Sequence, residues 1–301
     1  MLSSLNPSDQ QFLAELSQIS DRMAHAQQQV ATGLKIQQVS DAPDQISTLL
    51  QTRSDLNATT QVLSNLGRVK TEVDTGEQSL QSAVQLFDQV QTIGAQGNTS
   101  TQTAAGRAVL AQQLDSLLQE MVGLSGTTVE GRYIFSGDSD QQAPYSYDAS
   151  LTPPVSVYQG SASTRLAQHP NGTTFAIALT AQQIFDSADP STNVFSAIEN
   201  LSTALKSNDD TAIQAAVSGL SGVGVYLNNQ LAFYGTTQDK IANATDFGNT
   251  LKTQLQTQIS NLQDTDVSSS ILEMNQAQIQ QEAALQSRAQ IPRKSLFDFL
   301  G

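Results

Sequence analysis

The 301 residues contain no cysteine and no tryptophan. Without cysteine the chain has no disulfide framework, no thiolate metal site and no cysteine nucleophile. Basic residues are scarce: 14 Lys and Arg stand against 28 Asp and Glu, a formal net charge of −14. A nucleic-acid binder ordinarily presents a basic face, so that partner class is not expected. No apolar run approaches the ~18 residues that a membrane span requires, and membrane insertion is not expected either. No Lys or Arg precedes Arg22 and no apolar segment follows the start, so a cleaved secretory signal is not expected. Aromatic residues make up only 5% of the chain. That is lean for a globular enzyme core and suits long, thin helical packing.

Catalytic and metal-binding constellations are missing as well. The two histidines, His25 and His169, lie far apart with no ligand spacing around either. Asp138 and Asp140 sit in a Ser-Gly-Asp-Ser-Asp turn that lacks the later acidic ligand of a calcium loop. Gly219, Gly222 and Gly224 are not followed by the Lys-Ser/Thr of a phosphate-binding loop. No catalytic residue, cofactor or metal is therefore expected, and the chain does not read as an enzyme.

What is present is heptad spacing. Phe12, Leu16, Ile19, Met23, Ala26 and Val30 step by four and three, an a/d seam that predicts a first helix. The seam ends near Gly33. A second helix is expected to begin at Pro43, with Ala42 at the cap position, because proline fits the first helical turn and disfavours helix in the residue before it. Asp44 then lies at the positive end of the helix dipole. Val62, Leu66, Val69, Val73, Gly76, Leu80, Ala83, Phe87 and Val90 continue the pattern. A helix over 43–94 would be roughly 75 Å long, the span of a coiled coil or extended bundle. The stretch 94–101 reads as a turn, and a third helix follows with Val109, Leu110, Leu114, Leu117, Leu118 and Met121 on one face.

Beyond Met121 the period changes. Tyr133-Ile134-Phe135, the alternation around Val155 and Val157, and Phe175-Ile177-Leu179 read as strands. His169-Pro170-Asn171-Gly172 reads as a turn, and Pro144, Pro153, Pro154, Pro170 and Pro190 cluster in the same region. Helices resume near 193. Ile213, Leu220, Leu227, Tyr234, Ile241, Gly248, Leu255 and Leu262 recur every seven residues, with Gly222 and Gly224 as candidate kinks. A break at Asp264-Thr265-Asp266 precedes a last amphipathic helix carrying Ile271, Leu272, Met274, Ile279, Ala283, Ala284 and Leu285.

The expected fold is mainly α: a long antiparallel bundle or coiled coil with paired terminal helices and a small inserted β domain. Residues 1–42 and 264–301 form the terminal module, 43–132 and 190–263 the central bundle, and 133–189 the β insert. Two short helices and an apolar tail have a thin core of their own. Their apolar seams mark a surface for partners, and partial disorder in the free chain is expected.

Ala31-Thr32-Gly33-Leu34-Lys35-Ile36, followed by Ser40-Asp41-Ala42-Pro43-Asp44, resembles the amino-terminal signature of the flagellin family. Asp264-Thr265-Asp266-Val267, with Met274-Asn275-Gln276-Ala277-Gln278 and Gln281, resembles the carboxy-terminal one. Gly131-Arg132-Tyr133-Ile134-Phe135-Ser136-Gly137, the stretch Tyr158-Gln159-Gly160 with Arg165 and Asn171-Gly172, and the ending Ser295-Leu296-Phe297-Asp298-Phe299-Leu300 resemble the hook–filament junction members of that family.

The resemblance implies an extracellular flagellar subunit, exported through the flagellar type III apparatus without a cleaved signal. Expected partners are other copies of the chain, hook-associated protein 1, flagellin and an export chaperone. Phe12, Leu16, Ile19, Met23, Val30, Leu272, Ile279, Leu296, Phe297, Phe299 and Leu300 are the expected assembly residues. Gly33, Pro43, Asp264 and Asp266 are the expected hinge between layers of a tube. Within the family the alternative is the bulk filament subunit, and outside it a non-flagellar secreted coiled-coil adaptor or adhesin.

Overall fold

The structure, a computed structural model, describes residues 7–290. Seven α-helices occur among them: α1 Pro7–Thr32, α2 Ile46–Gly97, α3 Ala104–Ser125, α4 Ala181–Phe185, α5 Val194–Ser207, α6 Asp210–Gln263 and α7 Val267–Ala289. Four short strands, β1 Thr128–Val129, β2 Arg132–Tyr133, β3 Leu166–Gln168 and β4 Thr174–Ala176, form two antiparallel hairpins. The fold is a helical bundle with paired terminal helices and a small β region between α3 and α4. Two compact units divide the chain: Ala58–Leu251 form one, and the residues up to Asn57 together with those from Lys252 onward form the other. The unit boundaries fall inside α2 and α6.

In the Ala58–Leu251 unit the heptad positions of α2 and α6 meet head to tail. A Cβ added to Gly94 would touch Val217 and Leu220, one on Gly224 would touch Phe87 and Gln91, and one on Gly248 would touch Leu63. The sevenfold series in α6 is the core stripe: Ile213, Leu220, Leu227, Tyr234 and Ile241 are all buried. Gly222 and Gly224 do not break the helix; the side chains of Phe87 and Gln91 pack over Gly224, and the carbonyl of Ser191 lies beside Gly222. At the other end Arg107 is buried and donates to the carbonyl of Gly97 (3.1 Å) and Oδ1 of Asn208 (2.8 Å). It also pairs with Asp210 at 2.6 Å, joining the end of α2 to the start of α6 through α3. α3 lies on α5, where Asp115 accepts from Ser202 Oγ and pairs with Lys206.

The helices depart from expectation in three places. α2 begins at Ile46, so Pro43 lies in a turn just before it. Ala42 still acts as the first acceptor, taking hydrogen bonds from the N–H groups of Gln45 and Ile46. α2 then runs past Gly94 to Gly97, and α3 is capped by Thr103, whose side chain accepts from Gly106 N–H. Val109 is exposed; the buried face of α3 takes Arg107, Leu110, Ala111, Leu114 and Leu118 instead.

The β region is tied into the same core. Phe135 is fully buried and meets Phe185 and Tyr234 edge-on, with ring centres 6.4 and 6.3 Å away. Glu130 and Gly131 both have positive φ (51° and 77°), the arrangement of a tight hairpin turn whose twist suits β1 and β2. The turn at His169–Gly172 joins β3 to β4, with Leu166 opposite Ala176 and Gln168 opposite Thr174. The expected strand at Val155 is reduced to a single bridge with Tyr147. β3 has one apolar side chain pointing outward at Leu166, which gives it no alternating pattern to read.

Candidate functional site

The region that the sequence nominates lies in the unit formed by the two chain ends. α1 and α7 pack antiparallel. Asp9 pairs with Arg288, whose guanidinium lies 5.5 Å above the centre of the Phe12 ring. Arg22 donates to Gln280 (2.8 Å), Gln281 to Ser20 (3.4 Å) and Ser270 to Gln29 (3.0 Å). The predicted seam of α1 faces this contact: Ala26 is buried, and Phe12, Leu16, Ile19, Met23 and Val30 are half-buried.

α7 answers with a different face from the one expected. Ser270 and Ala277 are buried, and Met274, Gln281, Ala284 and Arg288 are half-buried, a stripe spaced by four and three. Leu272 and Ile279 do not close on the α1 seam. They stand 68% and 67% exposed, and Ile271 and Leu285 are exposed too. The reason is angular: two residues along a helix turn through about 200°, so positions 272 and 279 lie opposite 270 and 277. Leu13 is exposed on α1. On α7 the fully buried positions are thus the small residues Ser270 and Ala277, while Ile271, Leu272, Ile279 and Leu285 stay outside.

Two connectors lead out of the pair, and they bind each other. Gly33 has φ +72°, a conformation that glycine adopts without a Cβ penalty, and its N–H bonds to the carbonyl of Gln29 to end α1. Its carbonyl accepts from Thr265 N–H at 2.9 Å, and Leu34 forms a β-bridge with Asp264. Asp266 caps α7 by accepting from the N–H groups of Ser268 and Ser269.

Gln263, which no pattern in the sequence marks, is the central fastener. Its carbonyl accepts from Lys35 N–H (2.6 Å) and Ile36 N–H (3.4 Å), and its side chain accepts from Arg53 (2.7 Å). Polar residues inside a heptad helix carry no periodic signal, so only the three-dimensional arrangement reveals it. Below the connector, Ile36, Ala42 and Leu49 form a separate buried cluster with Ile46, Ile259 and Leu262 packed on it.

Asp41 organises the amino-terminal connector. Its Oδ2 accepts from the N–H groups of Gln37 and Gln38, both at 2.8 Å. These bonds, Gln38 first, hold its carboxyl below the usual aspartate range, helped by His25 at 3.9 Å. Of the expected hinge residues, Gly33, Asp264 and Asp266 thus stand in the connectors, and Pro43 stands one turn before α2. Leu296, Phe297, Phe299 and Leu300 lie outside the described residues.

Among the described residues no group of His, Cys, Asp and Glu could hold a metal ion, and no helix is long and apolar enough to cross a membrane. The region's chemistry is that of apolar contact and amide hydrogen bonding.

Comparison with known proteins follows the same division of the chain. The family description "Bacterial flagellin N-terminal helical region" matches residues 4–140, and "Bacterial flagellin C-terminal helical region" matches residues 225–300. No curated protein matches the chain. Among solved structures, a Vibrio parahaemolyticus protein described as flagellar hook-associated is 19% identical, covers 74% of this chain and all of its own, and superposes with a TM-score of 0.65. Flagellar hook associated protein-3 from Legionella pneumophila is 12% identical over 70% of this chain and 98% of its own, with a TM-score of 0.62. Xanthomonas campestris FlgL is 20% identical over 66% of this chain and 98% of its own, with a TM-score of 0.55. At such identities the likeness to the solved structures is one of fold.

Proposed function

This chain belongs to the bacterial flagellin family, and from that premise we propose that it is a structural subunit joining the flagellar hook to the filament. Copies of the chain associate through the helix pair α1–α7. The observation that carries the reading is the outward placement of Leu272 and Ile279. An apolar stripe that its own helix partner leaves uncovered is a contact surface for another chain. The contacts are heterologous, which produces rings or open helices rather than closed dimers.

On this reading hook-associated protein 1 lies on one side of the subunit and flagellin on the other. A chaperone covers the carboxy-terminal helix before export through the flagellar type III apparatus, and the final location is extracellular. The role is mechanical, not enzymatic. The hook-associated fold of the three solved relatives favours the junction over the bulk filament.

Deleting the gene and examining the cells by electron microscopy tests the assignment. Hooks without filaments, with flagellin shed into the medium, are expected, and a plasmid copy restores filaments. Normal filaments in the deletion strain would refute the junction role. Bare hooks with no flagellin in the medium would assign the chain to the filament instead.

A further inference from the structure

The chain contains a single Asn-Gly step, Asn171-Gly172, and it stands at the tip of the β3–β4 hairpin. Asn171, Gly172 and Thr173 are exposed. The side chain of Asn171 is nevertheless held in one orientation. Its Oδ1 accepts from the N–H of Thr173 (3.0 Å) and from Thr173 Oγ1 (2.7 Å). An oxygen bonded to the residue two ahead lays its carboxamide over the peptide between them. The nitrogen of that peptide belongs to Gly172. A Cβ on Gly172 would meet nothing within 4 Å, so no side chain crowds the peptide and water reaches it.

These contacts arrange a reaction that needs only water. Loss of the Gly172 amide proton to solvent hydroxide lets the nitrogen attack Cγ of Asn171, closing a succinimide ring. Holding the two groups together removes the cost of finding each other. Negative charge develops on Oδ1, where both Thr173 donors already point. Nδ2, protonated by solvent, leaves as ammonia when its bond to Cγ breaks. Water then opens the ring at either carbonyl, leaving aspartate or isoaspartate at 171. The sum is one water consumed and one ammonia released, with nothing oxidised. One restraint must open first: Gly172 N–H is bonded to the carbonyl of His169 (2.9 Å).

The isoaspartate product sends the main chain through Cβ and so lengthens the turn by one carbon. The tip is closed by His169 N–H on the carbonyl of Thr173 (2.7 Å), a spacing that the longer turn does not keep. The same tip rests on α6. The His169 ring lies 5.2 Å from that of Phe247, and a Cβ on Gly248 would meet Pro170 Cγ at 3.1 Å.

We propose that Asn171 is a self-modifying residue, which loses its side-chain amide to attack by Gly172 and thereby releases the hairpin tip from α6 as the protein ages. The reaction belongs to the isolated chain and does not depend on assembly.

The full chain, incubated in warm and mildly alkaline buffer and sampled by peptide mapping with mass spectrometry, tests it. Asn171 should convert before any other asparagine, with isoaspartate in excess. Hydrogen exchange at the His169 amide should quicken in the converted fraction. Thr173→Val removes the Oγ1 donor and should slow conversion by about threefold to tenfold, the worth of one hydrogen bond in the transition state. Thr173→Ser keeps the donor and should keep the rate. Asn171→Gln should neither convert nor loosen with time. Asn171 still intact when other asparagines have converted overturns the proposal. Conversion as fast in Thr173→Val as in the wild type overturns the part given to the turn, and conversion without faster exchange at His169 overturns the release from α6.

Discussion

The carbonyl of Gly33 accepts a hydrogen bond from the N–H of Thr265 at 2.9 Å, so the two connectors are tied to each other before either reaches its next helix. That bond depends on the left-handed backbone at Gly33. A Cβ there would meet nothing within 4 Å, so only the backbone penalty applies. Gly33→Ala should destabilise the terminal unit by about 1–2 kcal/mol. Denaturant unfolding followed by exchange at the Thr265 amide measures it. An unchanged stability would show that the connector tolerates another route.

Asp41 should make the connector acid-sensitive. Its carboxyl is depressed by the N–H groups of Gln38 and Gln37, so the folded state favours the charged form. The stabilisation is fully present above the ordinary aspartate value of 3.8 and is lost as pH falls through the lower folded value. The stability difference between the wild type and Asp41→Ala, measured by thermal unfolding across pH, should be level from neutral to about 4 and shrink at more acid pH. A difference that persists undiminished at the acid end would mean that another group fixes the loop.

Leu272→Asp with Ile279→Asp should separate folding from assembly. Both side chains are exposed, so the isolated chain should change in stability by no more than about 0.5 kcal/mol. Polymerisation, read by sedimentation at high concentration and by motility of a complemented strain, should be lost. By contrast, Leu16→Asp with Ile19→Asp introduces charge against α7 and should loosen the helix pair as well. Normal motility in either double variant would contradict the packing role.

Gly76 lies under the ring of Tyr234: an added Cβ would come within 2.6 Å of Cε1. The ring cannot retreat, because it is buried and packed edge-on against Phe135. Gly76→Ala should cost about 1–3 kcal/mol by overpacking, with the Tyr234 side chain displaced in a crystal structure of the variant. An equal stability would show more slack between α2 and α6 than this contact allows.

Arg107 joins three helix ends through Gly97, Asn208 and Asp210. Arg107→Met keeps the length of the side chain and removes the donors. It should destabilise the Ala58–Leu251 unit by about 2–3 kcal/mol, since hydrogen bonds from a charged group are lost. Chemical denaturation monitored by circular dichroism checks it.

The long helices were legible because their signal is repeated. Ile213 to Ile241 returns every seven residues, and each repeat confirms the last. The α1 seam was legible for the same reason, and the resemblance at Gly33 and Asp264–Asp266 located both connectors. Where single residues decide, the pattern is silent. Pro43 suggested a helix start, but the chain first makes a turn on the carbonyl of Ala42. β3 is three residues long with one buried side chain, too little for alternation to register. Gln263 is one glutamine in a helix full of them. On α7 the apolar residues were visible, but which face met α1 was not. That choice was made by the small residues Ser270 and Ala277, which permit close approach.

The fastening of α1 to α7 has a consequence for the surroundings it can tolerate. Three of its cross-links, Arg22 to Gln280, Gln281 to Ser20 and Ser270 to Gln29, end on uncharged acceptors. Dissolved ions weaken attraction between exposed charges but have little hold on neutral dipoles. The Asp9–Arg288 pair at one end of the joint is the part that briny water loosens, while these three links keep their grip in dilute and salty surroundings alike.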